Sequence, residues 1–433
     1  MTSIVSPTQA TPTPLTPPPL LAQTGLSAVL GRGRFIGPAA LLGPAFVAAI
    51  AYVDPGNFST NISAGSQFGY RLVWVVVIAN LMAMPVQFLS AKVGIVTGQS
   101  LPEVCHGRYR RSVLWGLWLQ AELVAMATDL AEFVGAAIGL HLLFGVSPLP
   151  AGIITAVAAI AVLGLQRRGY RGFERAIGFL LLVVLGGFAY QLFRAGADVA
   201  AVSGLVPGFD SGDEAFLAVG ILGATMMPHV VYLHSALTSR RVGCGDDTER
   251  RTLLRFERFD VGVALGIAGL INVSMLLVAA KLFHGRAGTS VSTLIEAHQG
   301  LVTILGGGAG LAFAAALLAS GISSSSVGTY AGQVVMTGFI ARQIPLLLRR
   351  LVTMAPALAV LALGVDSTQV LNLSQVVLSF GIPFALIPLL LVTRRRDIMG
   401  SFASPRWVTA AMVAITAVVV GLNGFLIWHQ LVG

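Results

Sequence analysis

Long apolar runs recur along the chain, separated by short polar segments rich in arginine and glycine. A helix needs about 20 apolar residues to cross the hydrocarbon core of a bilayer. Eleven stretches read that way: 40–66, 71–97, 113–142, 149–166, 175–195, 213–238, 259–282, 302–335, 346–363, 368–392 and 405–429. The pattern predicts an all-α membrane protein of eleven transmembrane helices. No short-period repeat is present, which argues against a solenoid.

Two of these stretches share a defect. Asp54-Pro55-Gly56-Asn57 interrupts the first at mid-depth, and Met227-Pro228-His229 interrupts the sixth. An interval of five spans gives the two halves opposite orientation, and paired interruptions in inverted halves point to a transporter binding site. The expected organisation is a Thr/Pro-rich disordered tail (1–35), a first inverted repeat (36–195), a second inverted repeat (196–393) and an eleventh span (394–433).

Composition agrees with this reading. The 433 residues are 55% hydrophobic and only 10% charged, whereas a soluble domain carries about 25% charged residues. Lipid must therefore be the solvent for much of the surface. The net charge of +9 does not imply nucleic acid, because the basic residues sit in short loops between apolar runs. With the N-terminus in the cytoplasm, only Arg71, Arg194, Lys281 and Arg286 of the 27 Lys and Arg residues fall outside. Adding or removing one early span would destroy that bias, so the positive-inside rule supports both count and orientation. The expectation is a multi-pass protein of a bacterial inner membrane, with its C-terminus outside and Trp428 at the interface. Cys105 and Cys244 fall in loops assigned to the cytoplasm, so no disulfide framework is expected. Residues 1–20 show no charged and apolar segments of a signal peptide.

The interruptions carry the chemistry. Pro55 removes an amide donor and clashes with the preceding turn, while Gly56 tolerates the open backbone that follows. Carbonyls before the break, such as that of Ala51, lose their helical partners, and a bound cation is one replacement. Asp54 supplies charge and Asn57 a neutral oxygen; the alternative is a proline kink with a hydrogen-bonded Asp. An ionisable residue at that depth is a functional hypothesis by default. In Ala224-Thr225-Met226-Met227-Pro228-His229, a lone Met would be core packing. Opposite the Asp54 break, Met227 becomes a candidate thioether ligand, acceptable to later transition metals and useless to calcium or magnesium. His229 and His234 are five residues apart, off a common helical face. They are candidates for a proton route, with hydrogen-bonded interior histidines as the alternative.

The third span carries Glu122, Asp129 and Glu132 on one helical face. Arg349 and Arg350, opening the ninth span, are the expected counter-charges. The row is either a proton path or a static ion-pair network. In the tenth span Gln375 is a candidate for the metal shell. Asn372 there and Asn272 in the seventh span read as helix-to-helix hydrogen bonds. The Ser323–Ser326 and Gly306–Gly308 runs read as close helix packing; no Lys follows the glycines to make a phosphate loop.

These residues resemble a known family. Asp54-Pro55-Gly56-Asn57 with Met227-Pro228-His229 is similar to the signature of the Nramp metal-ion transporters, and Leu89–Gly98, Leu233–Leu237 and Ser323–Thr329 are similar to family segments. The resemblance runs from about Ile36 to Thr393. It implies a LeuT-like fold of inverted five-helix repeats with broken first and sixth helices. It also implies proton-coupled import of manganese, ferrous iron and related ions such as cadmium and cobalt, with no prosthetic group. It gives as ligands Asp54, Asn57, Met227 and the carbonyls of Ala51 and Ala224, with Gln375 joining in some conformations. Asp129, Glu132, His229, Arg349 and Arg350 match its proton-pathway positions. The expected partners are the metal ion, protons and the bilayer, with the oligomeric state left open. Two rival readings are an organic-solute or amino-acid transporter of the same fold and an intramembrane metalloenzyme. The second requires three firm ligands and an open water position, and no His pair at ligand spacing exists.

Overall fold

The computed structural model of the chain describes residues 25–31, 33, 41–164, 170–196, 198–285, 291, 293–342 and 344–432. Among these residues the architecture is all helical, with no strand and one isolated bridge from Gly25 to Gly243. Helices are what apolar stretches must form in lipid, where each backbone polar group needs a partner within its own segment. Most of the expected tail, together with Arg32, Arg34, Arg167, Arg168 and Arg286, lies outside the described residues.

Eight helices among the described residues are long and apolar enough to cross a membrane: Val73–Thr97, Arg111–Phe144, Gly172–Ala195, Gly212–Thr238, Asp247–Phe283, Gly307–Ile340, Ser367–Thr393 and Arg406–His429. The expected first span is the pair Pro44–Ala51 and Pro55–Phe68. The fourth is Pro148–Gly164 and the ninth Leu346–Leu363. Each is shorter or interrupted, so length and composition alone do not count them as crossings.

Two boundaries differ from the sequence reading. The eighth span starts at Gly307, and the residues before it form a separate helix, Leu294–Leu305. Gly306 separates them at φ 96°, a conformation that costs glycine little and other residues much. A reciprocal cap between Thr293 and Glu296 starts the short helix. Gly306 therefore acts as a breaker and not as a packing glycine. The seventh span begins at Asp247 and not at residue 259, because Asp246 caps it by accepting from the Glu249 amide at 2.8 Å. That extension carries Glu257 into the helix.

Small residues set how closely the helices approach. A Cβ on Gly321 would fall 2.6 Å from that of Ala136, and one on Gly139 would fall 2.8 Å from the Leu318 amide. The third and eighth spans are thus locked along their length. Serines of the eighth span tie it to two further spans: Ser320 donates to the Val53 carbonyl at 2.5 Å, and Ser326, from the serine run, to the Ala159 carbonyl at 3.2 Å. Beyond the first break, Phe58 stacks edge-on against Phe188 and Phe313, with centroids 5.0 and 6.0 Å away. The expected amide contacts are also present. Asn272 donates to the Tyr52 carbonyl at 2.8 Å, and Asn372 to the Ser63 hydroxyl at 3.1 Å. Both cysteines are free thiols.

Candidate metal centre

Both interruptions follow one rule. Ala51 and Ala224 each stand four residues before a proline, Pro55 and Pro228. Proline has no N–H, so neither carbonyl receives its ordinary helical bond. The first helix ends at Ala51 and the next begins at Pro55 with Asp54 as its cap. The sixth span stops at Thr225 and restarts at Pro228 with Met227 in the cap position.

The two breaks meet in the interior. Oδ1 of Asp54 accepts from the Asn57 backbone N–H at 2.8 Å and from Asn57 Nδ2 at 2.7 Å. The same Nδ2 donates to the Ala224 carbonyl at 3.1 Å, joining the first span to the sixth. Gln375 arrives from the tenth span: a Cβ on Gly56 would fall 2.0 Å from its Nε2. Its amide donates to the Ser374 hydroxyl at 3.1 Å. Asp54, Asn57, Met227 and Gln375 are all wholly buried.

Unmatched polar atoms gather at this site. Asp54 Oδ2, Asn57 Oδ1 and Gln375 Oε1 are buried oxygens with no hydrogen-bond donor in the protein. Leaving one such acceptor unmatched costs about 1–3 kcal/mol, and native interiors hold few of them. All three oxygens carry lone pairs, which a cation satisfies and an anion does not. Met227 caps the restarted helix of the sixth-span break and carries a thioether, a softer donor than these oxygens.

A family profile described as Nramp, Natural resistance-associated macrophage protein-like, matches residues 45–429. The chain belongs to the Nramp family. It is 51% identical over 393 residues to the divalent metal cation transporter MntH of Deinococcus radiodurans, covering 90% of each chain. Against the MntH of Bacillus subtilis it is 52% identical over 395 residues, covering 91% of this chain and 93% of that one. A crystal structure of the Eremococcus coleocola manganese transporter, mutant H236A, superposes with a TM-score of 0.80 at 33% identity, covering 89% of this chain and 86% of that one. The broken first and sixth helices are thus those of a LeuT-like inverted-repeat fold. A nucleobase–cation symporter, 14% identical with a TM-score of 0.58, shares that fold alone.

Within this Nramp chain the acidic row meets the arginines expected of it. Glu122 pairs with Arg349 at 3.0 Å, and Asp129 with Arg350 at 3.0 Å. Arg350 also donates to the Thr329 and Ser325 hydroxyls and lies 4.6 Å from the Phe133 ring centroid. Glu132 differs: it is wholly buried and neither oxygen has a partner in the protein. It lies one turn from Gly135, where a Cβ would meet that of Pro55 at 2.0 Å. The row therefore ends against the first-span break. His229 reaches the same row from the other break, with Nδ1 3.4 Å from the Thr128 hydroxyl and Nε2 unpartnered.

His234 lies elsewhere. Its Nδ1 contacts Gln87 at 2.9 Å and its Nε2 contacts Glu257 at 2.9 Å, while Gln87 donates to the Tyr52 hydroxyl at 2.5 Å. Asp260, one turn beyond Glu257, accepts from the amides of Gly43 and Ala45, both at 3.1 Å. Sequence reading missed Tyr52, Gln87, Glu257 and Asp260. The available signal was Asp260 inside the expected seventh span, with Glu257 three residues before it left out by starting that span too late.

Proposed function

We propose that this Nramp protein imports divalent transition-metal ions, manganese foremost, in symport with protons. The observation that carries the reading is the set of donor-less oxygens of Asp54, Asn57 and Gln375 around two helix breaks. In the proposed bound state, Asp54, Asn57, Met227 and the Ala51 and Ala224 carbonyls hold the ion, and Gln375 closes on it. Ferrous iron, cadmium and cobalt share the ligand preferences that suit such a mixed oxygen and sulfur shell. The chain is a transporter and not an enzyme, and the metal is cargo.

The proton part rests on the acidic row. Glu132 and Glu122 are ten residues apart on one helix, about 15 Å along its axis. In the proposed route a proton passes between Asp54, Glu132 and the Asp129–Arg350 and Glu122–Arg349 pairs, with His229 beside the first step. The site alternates between the two sides as one group of helices rocks against the other. We place the protein in the bacterial inner membrane with eleven crossings, N-terminus inside and C-terminus outside. A negative interior then favours entry by about 2.3 kcal/mol per charge per 100 mV.

The test is manganese uptake into proteoliposomes under imposed pH gradients. Wild type should accumulate the ion, faster with an inward proton gradient. Asp54→Asn should lower uptake roughly a hundredfold, as expected for removing the only formal charge from a buried ion site. Equal uptake by the two proteins would overturn the assignment of this site.

A further inference from the structure

The eleventh span, Arg406–Val432, stands at the edge of the bundle and packs chiefly on the tenth. Its outer face is apolar and exposed, with Trp407 74% and Val413 50% accessible. Where the two spans meet at the cytoplasmic side of the proposed topology, they enclose an open groove of about 640 Å³. Its polar wall is made of Arg394, Arg395, Arg406 and Ser404. Its other wall is made of Ala410, Val413 and Ala414, which follow one another at helical spacing up the exposed face.

Two of the three arginines of this groove form no ion pair among the described residues. Arg395 shares Asp397 with Arg108, at 3.0 and 2.6 Å. Arg394 and Arg406 form no ion pair among the described residues. The Ser404 hydroxyl is buried and has no hydrogen-bond partner. Its backbone N–H donates to the Thr393 carbonyl at 2.8 Å, which fixes the loop beside the arginines. The guanidinium groups lining this groove form a donor set for phosphate oxygens.

We infer that this groove binds the headgroup of an anionic phospholipid of the inner leaflet. A soluble phosphate would use the arginines but leave the wall of Ala410, Val413 and Ala414 without an occupant. A lipid uses both, its phosphodiester on the arginines and an acyl chain along the helix face. Trp407 shares that face three residues below Ala410, and tryptophan sits at headgroup depth. Basic pockets between spans at a cytoplasmic boundary bind such headgroups. The bound lipid would splint the tenth span, which carries Gln375, to the eleventh, and so bear on a helix of the metal site without touching the ion.

Native mass spectrometry of the purified full chain tests this with phosphatidylglycerol and phosphatidylcholine of identical acyl chains. Wild type should retain one phosphatidylglycerol preferentially. Arg394→Ala/Arg395→Ala/Arg406→Ala should lose that preference by about tenfold or more, since each basic residue adds to anionic-lipid affinity. Arg406→Ala alone, which keeps the Asp397 pairs, should show a smaller loss and guards against misfolding of the triple variant. Arg110→Ala/Arg111→Ala/Arg255→Ala removes the same charge from exposed positions elsewhere on that side and should retain the lipid. Equal retention of the two lipids by wild type, or of phosphatidylglycerol by wild type and the triple variant, overturns the inference. Displacement of the lipid by inorganic phosphate in millimolar excess would also overturn it, assigning the groove to a soluble anion.

Discussion

At the residue scale, the centre is a problem of unmatched acceptors. Asn57 spends its amide N–H group on Asp54 and Ala224, which leaves its own oxygen and one Asp54 oxygen buried without donors. Those oxygens suit any divalent cation, so they cannot by themselves distinguish manganese from calcium. Met227 is the residue with a preference, because a thioether offers nothing to a hard ion. Met227→Ala should therefore lower manganese uptake about tenfold, on the scale of other changes to a metal's surroundings, and let calcium compete. Competition of calcium against manganese uptake measures it, and unchanged selectivity would remove the thioether from the proposed shell. This part of the site was legible in the sequence because proline, aspartate and glycine within a span are individually costly there. From the residues alone, Gln375 was legible as a polar residue in an apolar run and so a candidate for the metal shell; the family resemblance added its role as a ligand in some conformations. Its approach to Gly56 depends on the packing of two spans distant in sequence.

At the element scale, glycines decide which helices come close enough to build the centre. Gly223, one residue before the Ala224 carbonyl, faces the backbone of the tenth span, and a Cβ there would fall 1.9 Å from the Gln375 carbonyl oxygen. Backbone cannot swing aside as a side chain does, so the two helices would have to separate. Gly223→Ala should destabilise the protein by about 1–3 kcal/mol and weaken metal uptake together with it. Thermal unfolding with and without manganese reads both effects, and an unshifted midpoint would show that the contact tolerates a methyl group. Sequence periodicity cannot reveal such a contact, since a glycine in a span looks the same whether it faces lipid or another backbone. The same blindness placed Gly306 among packing glycines, although its positive φ ends one helix and begins another. The breaks at Pro55 and Pro228 were readable because proline acts on its own helix.

At the scale of the whole molecule, the proposed metal site must exchange charge with both sides of the membrane, and the acidic row of the third span is the proposed connection. Asp129 and Glu122 each hold an arginine. Moving a proton onto either weakens a buried pair, and breaking such a pair costs several kcal/mol. Glu132 holds none, and it lies on the turn that packs against Pro55. In the proposed route Glu132 is the member of the row that takes up and releases the proton, because it has no arginine of its own, and it stands between Asp54 and the Asp129–Arg350 pair. Replacing it should separate the two fluxes, where the Asp54 change should lower both. With Glu132→Gln, manganese uptake driven by membrane potential should persist, while metal-dependent acidification of the vesicle interior falls on the order of a hundredfold, the scale at which a positioned proton carrier matters. A pH-sensitive dye inside the proteoliposomes, read alongside manganese entry, distinguishes the cases. If acidification survives intact, protons reach Asp54 by another way, and the separate network of Tyr52, Gln87, His234 and Glu257 becomes the next candidate, since it reaches the same first-span break through Tyr52.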